Sequence, residues 1–372
     1  MPHLTRYVGI DLHQESVTLA VLPESGEACT EVLTMPNEEG RIHRFFVKLA
    51  GQGPVRCCYE ASGCGFVLQR RLASWGIECE VIAPSLIPHK PGDRRKTDKR
   101  DAENLARLYR SGHLTPVHVP TEAQERVRGL VRCREVLTRE ILASRHYVLK
   151  LLQARGIGWE KASRWTQEHW AWLRAQKLDG EDQVSLDTYL ALLDTKLELR
   201  RSLDERIEKI AQEPAYRQPV ARLRGLKGVD TLTAMTLVTE IGDVRRFEGP
   251  RSLMGYLGLT VSEFSSGGSE RRGGITKAGN GRCRRALVEA AWHYRHPVRE
   301  SRALKARRKG LSAPVLEHVR RADRRLHKRF KALELRLRPT KVSVAVAREL
   351  VGFVWALMGS ERTALAPGRH RA

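Results

Sequence analysis

YVGIDLHQESVTLAVL, residues 7–22, holds two β-rich runs, YVGIDLH and SVTLAVL, joined by a short polar break. A third run, CTEVLTM at 29–35, follows closely enough for the three to form an antiparallel meander. Beyond it, VRCCYEA (55–61) and IECEVIA (77–83) alternate with amphipathic patterns at 38–50 and 65–76, and a further helix begins near Thr97. The predicted order is three strands, helix, strand, helix, strand, helix. That is a mixed α/β domain, expected over residues 1–115.

The rest of the chain reads as helical. Residues 120–213 are rich in Leu, Ala, Arg and Glu, with apolar positions at helical spacing in VRGLVRCREVLTREILASRHYVLKLL and LALLDTKLELRRSLDERIEKIA. Two long helices joined by a Trp-rich segment, 159–173, are expected to form a hairpin or coiled-coil arm. A third region, 218–360, opens with LRGLKGVDTLTAMTLVTEIGD, where Gly225 and Gly228 punctuate a turn resembling a helix-hairpin-helix that presents Lys227 to phosphate. A glycine-rich loop is expected from 262 to 281, then a basic helical stretch, an apolar closing helix and a disordered tail over 361–372.

Charge narrows the function. The 372 residues carry 66 Lys and Arg against 43 Asp and Glu, a formal net charge of +23, with a pI near 10.2. So large an excess suits a polyanionic partner. No apolar run is long enough to span a bilayer, and the strand begins too early for a secretion leader, so a cytoplasmic, nucleoid-associated location is expected. Seven cysteines without paired knuckles are expected to be buried, reduced thiols.

Two carboxylates end apolar strands: Asp11 in VGID and Glu60 in VRCCYE. In the predicted order, that of a ribonuclease H-like domain, the first and fourth strands are neighbours, so the two would stand side by side. Asp98 and Asp101, three apart in KTDKRDAENLARL (96–108), project from one helix face. Packed across those strand ends, the four would converge on a hard divalent cation such as Mg²⁺, the constellation of two-metal phosphodiester chemistry. Taken alone, Asp98 and Asp101 are equally explained as favourable charges at a helix N-terminus amid Lys96, Lys99 and Arg100.

VGIDLHQ, YEASG, KTDKRDAENLA, LKGVDTLTAMTLVTEIGDVRRFEGPRSLMGYLGLTVSEFSSG and GGITKAGNGRCRRAL, in this order, resemble the DEDD transposases of insertion sequences. These are the insertion-sequence 110/1111 family, relatives of the Piv invertase that include bridge-RNA-guided recombinases. The resemblance covers nearly the whole chain. It implies a RuvC-like catalytic domain with Asp11, Glu60, Asp98 and Asp101 as the tetrad holding Mg²⁺ or Mn²⁺.

It also implies a nucleophilic serine in a Tyr-x-Ser-Gly type motif. Here the match is Phe264-Ser265-Ser266-Gly267, which places Ser266 at the nucleophile position, with Ser265 a second hydroxyl beside it. The implied partners are donor and target DNA, a non-coding guide RNA and further protomers as a homodimer or tetramer, since sites in the family join one protomer's tetrad to another's serine. Arg271, Arg272, Lys277, Arg282, Arg284 and Arg285 are the candidates for DNA backbone contacts. Two other readings are a metal-dependent junction resolvase that uses water, and a non-catalytic basic nucleic-acid-binding protein.

Overall fold

The computed structural model describes residues 4–88, 97–266 and 269–359, with backbone alone at 264–266 and 269–270. The chain divides into two compact units, Met1–Pro120 and Thr121–Ala372.

The first unit runs β1 (Arg6–Leu12), β2 (Ser16–Pro23), β3 (Glu31–Pro36), α1 (Glu39–Ala50), β4 (Val55–Glu60), α2 (Val67–Ser74), β5 (Glu78–Ile82) and α3 (Asp98–Arg110). The strands form one five-stranded mixed sheet in the order β3-β2-β1-β4-β5. The β1–β2 and β2–β3 pairs are antiparallel, while β1–β4 and β4–β5 are parallel. The expected meander and the β1–β4 neighbourhood are therefore present.

Alternation along the strands sorts side chains between the two faces. Val8, Ile10 and Leu12 of β1 and Cys57 and Tyr59 of β4 pack with Ile42 and Phe46 of α1 and Leu68 and Leu72 of α2. The intervening positions face α3, where Tyr7 and Cys58 cluster with Leu105 and Tyr109. Helix α3 is capped by the Thr97 side chain, which accepts from the Arg100 backbone N–H. It buries Ala102, Leu105, Ala106 and Tyr109, the i, i+3, i+4, i+7 stripe of an amphipathic helix.

Gly9 fixes where that helix crosses. A Cβ built on Gly9 would stand 2.0 Å from the Ala102 carbonyl oxygen and 2.4 Å from the Ala106 amide nitrogen. Helix backbone thus lies directly on strand backbone, an approach open only to glycine.

The second unit begins with α4 (Glu122–Ala154), α5 (Gln167–Ala175) and α6 (Gly180–Ile210). Helices α4 and α6 run antiparallel, with Arg134 bonded to Asp204 at one level and Arg155 to Asp182 at another. Val148, Leu152, Leu173, Leu186 and Leu190 close the far end with Trp165, Trp170 and Trp172. The body consists of α7 (Pro214–Arg224), α8 (Thr231–Ile241), α9 (Pro250–Tyr256), β6 (Val261–Ser266), β7 (Ser269–Ile275), α10 (Gly281–Trp292), α11 (Arg302–Arg308), α12 (Ala313–Glu334) and α13 (Pro339–Met358). Its core gathers residues from α7 to α13, among them Leu223, Met235, Leu287, Phe330 and Val351.

Two sequence expectations change. The stretch 262–281 is not simply a loop, because Val261–Ser266 and Ser269–Ile275 pair as an antiparallel hairpin. Register explains it: Val261 lies opposite Ile275 and Glu263 opposite Arg272, cross-strand pairs that outweigh the low strand propensity of the glycines. The cysteines are free, but only Cys57, Cys58, Cys79 and Cys283 are buried. Cys29 and Cys64 are half-buried and Cys133, on α4, is exposed. Among the described residues no helix is long and apolar enough to cross a membrane.

Candidate metal centre and serine hairpin

Asp11 continues the α3-facing series Tyr7, Gly9, Asp11, and the crossing at Gly9 aims the N-terminus of α3 at it. Asp98 opens α3 and Asp101 lies one turn on, immediately before Ala102. Glu60 closes β4 one residue beyond Tyr59, which pairs with Ile10 at the end of the β1–β4 register. Alternation puts Glu60 on the same face as Arg56 and Cys58.

The side chains that meet are Asp11, His13 and Asp98, whose ligand atoms all lie within 4.8 Å of one another. His13 Nε2 is 3.3 Å from Asp11 Oδ2 and 3.9 Å from Asp98 Oδ1. Glu60 and Asp101 stand outside this group. Burial pushes the Asp11 carboxyl above its ordinary value, His13 pulls it back, and the charges of Asp98 and Asp101 add to the rise. The donor set, carboxylate oxygens with an imidazole nitrogen, suits a divalent cation. Asp11 is largely covered, whereas His13 and Asp98 are about half exposed, at 55% and 57% of their side chains, which leaves the group open to a large substrate.

His13 was missed in the sequence although its signal was there. The two-residue period Tyr7, Gly9, Asp11 carries one step further to His13, just past the end of β1. Its backbone is fixed: the His13 N–H donates to Ser16 O at 3.0 Å, and Asn37 Nδ2 donates to His13 O at 2.9 Å.

Ser266 ends β6, opposite Ser269, and Ser265 lies opposite Glu270. The hairpin is anchored where it returns to the body. Gly279 has φ +65°, and a Cβ there would stand 2.0 Å from the Tyr256 carbonyl oxygen. The Asn280 N–H donates to that same oxygen. The Asn280 side-chain oxygen accepts from the Arg282 and Cys283 amides to cap α10, while its Nδ2 donates to Glu240 Oε2 at 2.8 Å.

Glu240 is buried on α8, and both its oxygens accept from Arg132 of α4, at 2.6 and 2.8 Å. Burial would raise its pKa, but the bonds from Arg132 and Asn280 outweigh that and hold it below the ordinary value. A chain of polar contacts thus joins the base of the arm to the base of the hairpin.

The basic candidates fall into two sets. Arg282 and Arg285 both hold Glu135 of α4, Arg285 at 2.5 Å. Arg284 donates to the Leu257 and Ala278 carbonyls, and Lys227 donates to the Pro297 and His296 carbonyls. Arg271 and Arg272 on the hairpin, Lys277 just after it, and Lys99 and Arg100 on α3 are exposed. Lys96 lies outside the described residues, as does Gly267 of the serine motif. The turn holding Lys227 is packed rather than open, with Gly225 against Leu311 and Val319 and Gly228 against Ala290.

Comparisons with known proteins agree with this layout. A DEDD transposase family model of the IS110 type matches residues 8–155, and one described as "Transposase IS116/IS110/IS902 family" matches residues 220–306. A putative transposase, y4qE, of Sinorhizobium fredii is 42% identical over 83% of this chain and 76% of its own length. The transposase for insertion sequence element IS1533 of Leptospira borgpetersenii is 34% identical over 88% of this chain and 96% of its own. That for IS1111A of Coxiella burnetii is 25% identical over 96% and 91%. With both halves matched in order and relatives similar over most of their length, the chain belongs to the IS110 family of insertion-sequence transposases, enzymes that act on DNA.

Proposed function

We propose that this transposase is a strand-transferring recombinase in which a ribonuclease H-like N-terminal unit supplies a metal-binding tetrad and the β6–β7 hairpin supplies a serine nucleophile. The observation that carries the reading is the crossing at Gly9, which brings Asp98 of α3 to Asp11 of β1 in a sheet of the ribonuclease H-like order. Asp11, Glu60, Asp98 and Asp101 would hold Mg²⁺ or Mn²⁺, which when bound supplies Lewis-acid stabilisation of charge on the phosphoryl oxygens.

The chain's own groups do the rest. The Ser266 hydroxyl, with Ser265 beside it, attacks a DNA phosphorus. The Oγ–P bond forms, the bridging P–O bond to the departing deoxyribose oxygen breaks, and the hydroxyl proton passes through solvent to that oxygen. One phosphodiester replaces another, so an external energy source is unnecessary, and attack by a new strand's hydroxyl reverses the step. Arg271 and Arg272 on the hairpin, Lys277 just after it, and Lys99 and Arg100 beside Asp98 contact the sugar–phosphate backbone, which positions DNA without specifying sequence. Sequence is then read by a non-coding RNA paired with donor and target. A serine and a tetrad taken from different protomers require at least a dimer.

The test is a denaturing gel of the protein incubated with element-end DNA, its guide RNA and Mg²⁺. Wild type is expected to leave a covalent protein–DNA adduct mapping to Ser266. Ser266→Ala should abolish the adduct, and Asp11→Asn should lower cleavage by a factor of roughly a thousand or more. Nicking that survives Ser266→Ala with no adduct would instead identify a hydrolytic nuclease.

A further inference from the structure

We infer that His13 is a nitrogen ligand of the metal centre and shifts its preference from Mg²⁺ toward transition-metal dications such as Mn²⁺. The inference rests on the proposed metal-binding role of Asp11 and Asp98 and adds a residue outside the tetrad.

Geometry carries it. Two donors bound to one ion at about 2.1 Å stand roughly 3–3.5 Å apart, depending on the angle between them. His13 Nε2 lies 3.3 Å from Asp11 Oδ2 and 3.9 Å from Asp98 Oδ1, and the three ligand atoms all lie within 4.8 Å of one another, so movement of the exposed Asp98 side chain toward the other two brings all three to one centre. The backbone that carries the ring is fixed. The strand pairing ends at Leu12↔Val17, and the His13 backbone is pinned by Ser16 on one side and Asn37 on the other. Asn37 reaches further, donating to Gln14 O at 3.3 Å, and its own N–H donates to Glu15 O at 2.9 Å. The β1–β2 turn is therefore held as a unit, and Nε2 is presented to the same side as the two carboxylates.

Chemistry sets the consequence. Carboxylate and water oxygens suit Mg²⁺, which dehydrates reluctantly, whereas imidazole favours first-row transition ions. A mixed set of two carboxylates and one imidazole accepts Mn²⁺ readily and binds Co²⁺ or Zn²⁺ more tightly still. The site is thus selective by ligand type, where an all-carboxylate tetrad would be selective by size and hydration.

The experiment titrates the full-length chain with Mn²⁺, follows free Mn²⁺ by electron paramagnetic resonance, and records pulsed spectra of the bound ion for ¹⁴N coupling. Mg²⁺ affinity is measured by competition. Wild type, His13→Ala, His13→Gln and Asp98→Asn are compared. Wild type is expected to show directly bound ¹⁴N. His13→Ala and His13→Gln should lose that signal and bind Mn²⁺ about ten- to a hundredfold more weakly, with Mg²⁺ affinity changed less than about threefold.

Mn²⁺ bound in wild type without ¹⁴N coupling, or coupling that survives in both His13 variants, would overturn the inference while leaving the metal site intact. If Asp98→Asn binds Mn²⁺ as wild type does, or wild type binds none, the proposed metal role of the carboxylates itself fails and the inference falls with it.

Discussion

The candidate metal centre and the serine hairpin are built by opposite means. Asp11 and Asp98 sit on elements that each bury one or both faces in a core, β1 through Val8 and Ile10 and α3 through Ala102, Leu105, Ala106 and Tyr109. Among the hairpin residues whose side chains are described, none is buried. Val261, Glu263 and residues 271–274 are exposed, and the hairpin is held through its ends, by Gly279 wedged on Tyr256 and Asn280 tied to Glu240. A group that must share an ion with others needs fixed separations, and packing supplies them. On the proposed reading, the serine hydroxyl is carried on a support anchored at its base.

The sharpest way to break this contrast is Gly9→Ala. Its Cβ would fall inside the α3 backbone, and neither element can yield without losing core contacts. The cost should be about 4 kcal/mol or more, read as a lower unfolding midpoint of the first unit, together with lost DNA cleavage. The second unit should melt as before.

The next effect separates the units by pH. His318 of α12 is buried against Phe353, and burial, reinforced by Arg321, pulls its pKa from the ordinary 6.5 to about 4. Its folded value lies below its unfolded one, so the unfolded state takes up the proton first. Stability of the helical body is full above pH 6.5 and is lost as pH falls toward 4, by roughly 3 kcal/mol at most. Thermal scans from pH 7 to 4 should show this loss in the second unit, and His318→Gln should flatten that part of the profile.

The smallest effect tests the anchoring of the hairpin. Asn280→Ala removes the α10 cap and one of the partners of the buried Glu240, at a cost of about 1–3 kcal/mol. Hydrogen exchange should quicken across 261–275 and the start of α10, while α3 amides stay protected. Equal quickening in both places would remove the distinction between a packed site and a tethered one.

What the sequence made legible follows the same divide. The sheet order was readable because β1, β2 and β4 are apolar runs, with Asp11 and Glu60 marking the ends of the first and last of these, and period two then told which residues share a face. The same period reaches His13, but only the folded turn, fixed by Asn37, shows that its ring lies beside Asp11 and Asp98. Lys227, Arg282, Arg284 and Arg285 are marked in the sequence by charge and position alone, which do not show their protein partners. Their partners, Glu135 and several carbonyls, lie far away in sequence, and only folding brings them near. The hairpin was masked by its glycines, since its pairing depends on cross-strand neighbours more than on local propensity.

Gly9 also limits how this centre can vary. Where α3 backbone rests on β1 backbone at Gly9, the crossing itself has no side chain whose size could be changed to open or close the gap between Asp11 and Asp98. The scaffold behaves as a ruler of fixed length. If the centre binds an ion as proposed, drift in which ion it takes comes from the identity of residues 13, 60, 98 and 101 and not from the Gly9 crossing beneath them.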